Sequence, residues 1–221
     1  TVSENRTWAT SSYFIEGSLE IRRSGSETCT LTINQGSTLK FATGTQMRIG
    51  YNAWGQLKAE GTDEQPILFT SMNGESGAWS GVLFEGGSDD DPLRGIDNSL
   101  KHCIVENAVD NLRAFGTTKP EVEDCIFRNA SDRGIYFSSE FDRTMIRVTV
   151  ENNGGNGIYA YNAPFKMQEG LVINNGGYGI YLDNSLIELY DSEISNNGNY
   201  AMYYNNIHYV SVLDATFSGN A

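Results

Sequence analysis

The sequence predicts an all-β solenoid with three short strands per turn, and three observations predict it. First, asparagine recurs at a nearly fixed step, at Asn107, Asn129, Asn152, Asn174 and Asn196, with spacings of 22, 23, 22 and 22 residues. Second, the residues before each asparagine recur with it. Val105, Phe127, Val150, Val172 and Ile194 lie two before, and the mostly small Cys103, Cys125, Val148, Gly170 and Ser192 lie four before. Third, 24 glycines, 21 asparagines and only four prolines suit a β chain with many tight turns. A period this short means stacked repeats, each residue lying on its counterpart one turn below.

Taken in chain order, residues 1–26, with Trp8, Tyr13 and Phe14, are expected to cap the first turn, and residues 27–221 to form one continuous domain. The first hundred residues hold short β-rich runs cut by glycine, at Cys29–Ile33, Thr38–Phe41, Met47–Ile49, Gln56–Ala59, Pro66–Thr70 and Ser80–Phe84. From about residue 100 the turns become regular. Period-2 alternation places the residues four before, two before and at the asparagine on one side of a strand. Because the middle one is always apolar, that side is the interior, and Asn107, Asn129, Asn152, Asn174 and Asn196 are expected to point inward or into the corner. There each amide would donate to the carbonyl of the asparagine one turn away, forming a ladder. Asparagine also tolerates the left-handed backbone that a bend needs.

A second strand follows each glycine-rich bend: Gly134-Ile-Tyr-Phe, Gly157-Ile-Tyr-Ala, Gly179-Ile-Tyr-Leu and Ala201-Met-Tyr-Tyr. Ile135, Ile158, Ile180 and Met202 would face in, joined by Phe137, Ala160, Leu182 and Tyr204. A third strand keeps the step in Phe165/Met167, Ile187/Leu189 and Val210/Val212. At ~22 residues per turn the chain would make about 9–10 turns. The chain stops partway into a further copy of the repeat, at Phe217-Ser-Gly-Asn-Ala221. An uncovered last turn would expose strand edges and core side chains.

The runs Leu-Thr-Ile-Asn-Gln-Gly-Ser-Thr-Leu-Lys-Phe (31–41), Gly-Gln-Leu-Lys-Ala-Glu-Gly-Thr (55–62), Gln-Pro-Ile-Leu-Phe-Thr-Ser (65–71), Ala-Trp-Ser-Gly-Val-Leu-Phe (78–84) and Asn-Asn-Gly-Gly-Tyr-Gly-Ile-Tyr (174–181) carry a family resemblance. Over residues 25–221 the chain resembles the secreted right-handed parallel β-helix proteins of the pectate-lyase-like superfamily. The resemblance implies a right-handed coil and an extracellular or cell-surface location. It implies no single activity, because this architecture carries lyases, hydrolases, adhesins and plain spacers.

A net charge of −13 opposes binding to phosphate backbones, and no Lys/Arg cluster breaks the pattern, so a nucleic-acid partner is not expected. The apolar runs are far too short for membrane insertion. No Cys-x-x-Cys pair suggests zinc, and Cys103 and Cys125, at one repeat position in adjacent turns, are expected to be buried thiols.

Tyr136, Tyr159, Tyr181 and Tyr203 occupy the outward place between the inward pairs of the second strand, with Tyr161 beside them. They would form a vertical aromatic row suited to stacking sugar rings and donating hydrogen bonds. Cross-strand stacking alone would also produce such a row. Asp89, Asp90, Asp91 and Asp97 lie in a loop of the kind that binds Ca2+, but no calcium-repeat spacing accompanies them, and a solvated acidic loop with no cofactor is expected. Related lyases pair metal-binding aspartates with an Arg or Lys base, and related hydrolases use close carboxylates. Asp110, Asp124, Asp132, Arg133 and Arg143 are candidates for such roles but show no recurring pair, and His102 and His208 are isolated. The expectation is therefore a non-enzymatic adhesive or structural surface module, with a polysaccharide or cell-surface partner or end-to-end self-association at the last turn. The alternatives are carbohydrate binding along the tyrosine row and, after that, a polysaccharide lyase or hydrolase.

Overall fold

The computed structural model describes residues 1–88, 96–139, 143–206 and 209–221, apart from the side chain of Ser139. The chain coils into stacked rungs whose strands build three parallel sheets. Sheet A stacks Leu19–Ile21, Met47–Ile49, Val82–Phe84, Leu112–Gly116, Ile135–Ser139, Ile158–Tyr161, Ile180–Asp183 and Met202–Asn205. Sheet B stacks Arg6–Trp8, Cys29–Ile33, Gly55–Glu60, Ser99–Lys101, Glu121–Glu123, Thr144–Ile146, Phe165–Gln168, Ile187–Tyr190 and Val210–Leu213. Sheet C stacks Ser12–Ile15, Thr38–Phe41, Ile67–Ser71, Cys103–Glu106, Ile126–Arg128, Thr149–Glu151, Leu171–Ile173, Glu193–Ser195 and Thr216–Ser218. Residues 1–26, expected as a cap, supply a rung of their own: Arg6–Trp8, Ser12–Ile15 and Leu19–Ile21 pair in parallel with the next turn. Trp8 and Tyr13 stack face to face within it, ring centroids 4.6 Å apart.

The apolar side chains that alternation placed inside the middle rungs are buried. Val105, Phe127, Val150, Val172 and Ile194 form one column, and Ile135, Ile158 and Ile180 another. Cys29, Cys103 and Cys125 are free and buried; burial pushes the Cys103 thiol well above its usual range. These cysteines fill core volume as small apolar residues. In the rung formed by residues 202–218, Tyr204, Val210, Val212 and Phe217, in inward columns, are exposed.

The corners explain the asparagine step. Between sheets C and A the chain turns at Asn107, Asn129, Asn152, Asn174 and Asn196, all with φ between 55° and 63°. Between sheets B and C, His102, Asp124, Arg147, Glu169, Asp191 and Asp214 take the same left-handed backbone, as do Asn162, Asn184 and Asn206 between A and B. Asparagine and aspartate bear this conformation at the least cost among residues with a side chain.

The asparagine ladder is present, but its members stand one residue further along than expected. A left-handed residue breaks the alternation of a strand, so the corner asparagines turn outward and the next side chain enters the core. Asn129, Asn152, Asn174 and Asn196 are exposed, whereas Asn153, Asn175 and Asn197 are buried. Asn107 is at the edge of burial and donates to the Thr70 hydroxyl at 3.2 Å. Asn153 Nδ2 donates to Asn175 Oδ1 at 2.8 Å, Asn175 Nδ2 to Asn197 Oδ1 at 2.9 Å, and Asn197 Nδ2 to Asn220 Oδ1 at 2.9 Å. The second amide hydrogen of Asn175 goes to the Val150 carbonyl at 3.1 Å, and its Oδ1 also accepts the Asn153 backbone N–H at 3.1 Å. Each rung thus satisfies its buried amide completely. Glycine follows for the same reason: a Cβ on Gly157 would lie 2.8 Å from Asn175 Nδ2, and one on Gly179 2.8 Å from Asn197 Nδ2.

Asn175→Ala leaves several buried donors and acceptors unpaired and is expected to cost about 2–4 kcal/mol. Asn174→Gly, at the adjacent corner, is expected to change stability by less than about 1 kcal/mol, because glycine takes positive φ freely. Urea denaturation of the two variants measures the difference.

Candidate functional site

Registered stacking converts a repeated residue into a column, and the outward face of sheet A holds the column richest in chemistry. From the N-terminal end it runs Glu20, Arg48, Leu83, Arg113, Tyr136, Tyr159, Tyr181 and Tyr203, each the register partner of the next. The tyrosine ring centroids step by 5.2, 5.1 and 5.0 Å, and the planes tilt by 47°, 48° and 36°. Phe115 meets Tyr136 edge-on at 5.3 Å. Tyr178, in the bend before its strand, lies 5.5 Å from Tyr181 and 5.0 Å from Tyr203, and Tyr200 lies 6.2 Å from Tyr178. Tyr161 is exposed and stands in the neighbouring outward column, in register with Asp183.

At the foot of the row the charges are organised. Arg133 donates from Nε and Nη2 to the two carboxylate oxygens of Asp110, at 2.8 and 3.0 Å, and Asp132 lies 3.4 Å away. The Arg133 guanidinium sits 4.3 Å from the Tyr136 ring centre and 5.6 Å from that of Tyr159. Burial alone would lower its pKa, but the bonds to Asp110 outweigh it and the guanidinium is held more firmly charged than usual. Asp110 is only 2% exposed. Both carboxylate oxygens are thus engaged by one guanidinium, which fixes the Arg133 side chain against the tyrosine rings. Arg48 is paired in the same fashion with Glu85, at 2.8 Å from both Nε and Nη2, and covers the Tyr51 ring. Beside it lies a hollow lined by Tyr51, Asn52, Ala53, Trp54, Glu85, Gly86 and Gly87.

Two of the phenols are held in their protonated, donating form more firmly than usual. Burial, then the neighbouring Asp183, pushes Tyr159 up; burial, then Tyr203 and Asp183, does so for Tyr181. The face therefore offers ring edges, hydroxyl donors and guanidinium groups in one line.

Of the carboxylates and bases weighed from sequence, Asp110, Asp132 and Arg133 meet at this row and the others do not. Asp124 lies at the corner between sheets B and C, 2.6 Å from Arg147 and 3.7 Å from His102. The guanidinium of Arg147 holds the Asp124 carboxyl below its usual range. Arg143 pairs with Asp97 at 3.5 Å, and Asp97 also meets Lys58 at 3.2 Å. Asp89, Asp90, Asp91 and His208 lie outside the described residues. Among the described residues no group of three or more His, Cys, Asp or Glu side chains could hold a metal ion.

Sequence reasoning missed Arg113, Phe115, Tyr178, Asp183 and Tyr200. For Arg113 a signal existed: it is the register partner of Tyr136, so extending the alignment one turn back would have found it.

A family model described as a right-handed beta helix region matches residues 79–221, and one described as a pectate-lyase like beta helix domain matches residues 1–92. Among curated protein sequences none matches. Among solved structures, a single mutant of the periplasmic alginate epimerase AlgG is similar with a TM-score of 0.54 and 13% identity, over 93% of this chain and 70% of that one. A double mutant of the same epimerase gives a TM-score of 0.50 and 14% identity, over 94% and 71%. At that identity the likeness shows the fold alone.

A spectrophotometric titration is expected to show Tyr159 and Tyr181 ionising above the ordinary phenol value of 10.0. A folded-state value raised above the unfolded one gives stability that is present below pH 10.0 and lost as pH rises through the folded value. Tyr159→Phe/Tyr181→Phe should remove that high-pH component.

Proposed function

Because this chain belongs to the right-handed β-helix family, we propose that it is an exported glycan-binding module that lays a carbohydrate along the outward tyrosine column of sheet A. The observation that carries the reading is the extension of the aromatic row beyond what strand pairing requires. In-register stacking accounts for Tyr136, Tyr159, Tyr181 and Tyr203. It does not account for Phe115, which lies in the neighbouring outward column, or for Tyr178 and Tyr200, which sit in the bends and widen the same surface. Aromatic rings supply apolar contact for sugar C–H groups, and protonated phenols supply donors to sugar oxygens. Rungs hold these groups in a fixed line, so a polymer meets a preorganised surface. The similarity in fold to alginate epimerases is consistent with a carbohydrate ligand.

A glycan array comparing the wild type with Tyr159→Ala/Tyr181→Ala tests this. The double variant is expected to lose about tenfold or more in affinity, roughly 1.4 kcal/mol, while its far-UV circular dichroism stays that of the wild type. Unchanged binding, or no binding by the wild type, would overturn the reading.

A second reading, a rigid adhesive or structural module that stacks end to end, is favoured by a different observation. The outermost rung presents Tyr204, Val210, Val212 and Phe217 together with unpaired strand edges, a surface that another rung can cover. Light scattering and electron microscopy of the purified chain decide it: concentration-dependent filaments support stacking, and a strict monomer at high concentration removes it.

A further inference from the structure

We infer that the tyrosine face takes a glycan bearing a single anionic group, held by Arg113 at the foot of the column, and not a polymer charged at every sugar. The inference rests on the glycan-binding reading and names its ligand class.

Three arginines approach the lower part of this face, and two are already neutralised: Arg48 by Glu85 and Arg133 by Asp110. Arg113 stands in the column between Leu83 and Tyr136, and among the described residues its Nε is buried without a hydrogen-bond partner. Buried donors of this kind are almost always satisfied, and a charged one is the costliest to leave open. With Nε closed off, carboxylate or sulfate oxygens would reach the partly exposed Arg113 side chain through its terminal nitrogens, two of which can donate in parallel. Burial, with Arg133 and Arg48 nearby, lowers the pKa of Arg113, although Asp110 and Glu85 pull the other way. An anion at this place would relieve both the burial and the repulsion.

Higher on the face the electrostatics reverse. Asp183 lies beside Tyr159 and Tyr181 and raises both phenols. Its rung is three above that of Arg113, roughly 14 Å at strand spacing. A sugar chain anchored at Arg113 and charged at each residue would bring carboxylates against Asp183. The net charge of −13 repels a polyanion at longer range as well. A chain with one charged unit at the Arg113 end and neutral units over the tyrosines meets neither obstacle.

The test uses an array with three matched sets: neutral oligosaccharides, the same oligosaccharides with one terminal carboxylate or sulfate ester, and homopolymeric uronates. The singly charged set is expected to bind at least tenfold more tightly than its neutral counterparts. Arg113→Met should erase that difference and leave neutral binding intact, which also reports that the variant folds; Arg113→Lys should keep part of it. Asp183→Asn should raise uronate binding several-fold. Tighter binding of the uronates than of the singly charged set by the wild type, or a charge preference that survives Arg113→Met, would overturn the inference. If no set binds, the glycan reading fails on its own. The anion site is then judged from the Arg113 Nε–Hε resonance titrated separately with sodium glucuronate and sodium sulfate. A saturable shift, larger with whichever anion fits, supports the site, and an invariant resonance contradicts it.

Discussion

The structure depends on one constraint: each rung must lie on the one below with equivalent residues superposed. Parallel pairing alone holds the strands, but a slip of one residue would reverse every side chain. The buried amides at Asn153, Asn175 and Asn197 make that slip expensive. Each bonds to the amide above it and to backbone of the adjoining rungs. A displaced register would bury these donors and acceptors unpaired. The ladder therefore specifies register at the corner where the chain leaves sheet C, and Gly157 and Gly179, just before the strands of sheet A, leave room for it.

Superposition also determines what the surface can do. An outward residue repeated along the sequence becomes a line at strand spacing, so function is written in columns. On sheet A the column passes from Glu20, Arg48, Leu83 and Arg113 to tyrosines. On sheet B, Lys101 meets Glu121 and Glu123, and Lys166 meets Glu188, so each lysine has a carboxylate partner. On sheet C, Glu106 binds Arg128 at 2.7 Å. Partly exposed pairs of this kind add little stability. Sheet A differs in aligning phenol hydroxyls and in holding, among the described residues, a buried Arg113 Nε without a hydrogen-bond partner.

Most of the architecture was legible because the solenoid repeats its errors as faithfully as its signals: a corner asparagine once every 22 or 23 residues cannot arise from an irregular core. The inward columns followed from alternation within each strand. What alternation could not convey was the geometry at the strand's end. Positive φ at Asn152 or Asn174 inverts the side-chain direction, so the adjacent Asn153 and Asn175 take the interior place assigned to their neighbours. The asparagine doublets at 152–153, 174–175 and 196–197 hold both roles side by side. Likewise, Tyr136, Tyr159, Tyr181 and Tyr203 were visible as a row because one residue type recurs. Arg113 was not, because the column changes chemistry there while its register continues. Asp110 and Arg133 come together through stacking, 23 residues apart, and neither carries a local motif.

Hydrogen exchange at individual side-chain amides tests the central claim most directly. If the buried ladder sets the register, the carboxamide protons of Asn153, Asn175 and Asn197 exchange slowly by NMR, while those of Asn152, Asn174 and Asn196 exchange at solvent rates. Equal rates for the two sets, or protection at the corner asparagines, would contradict the account.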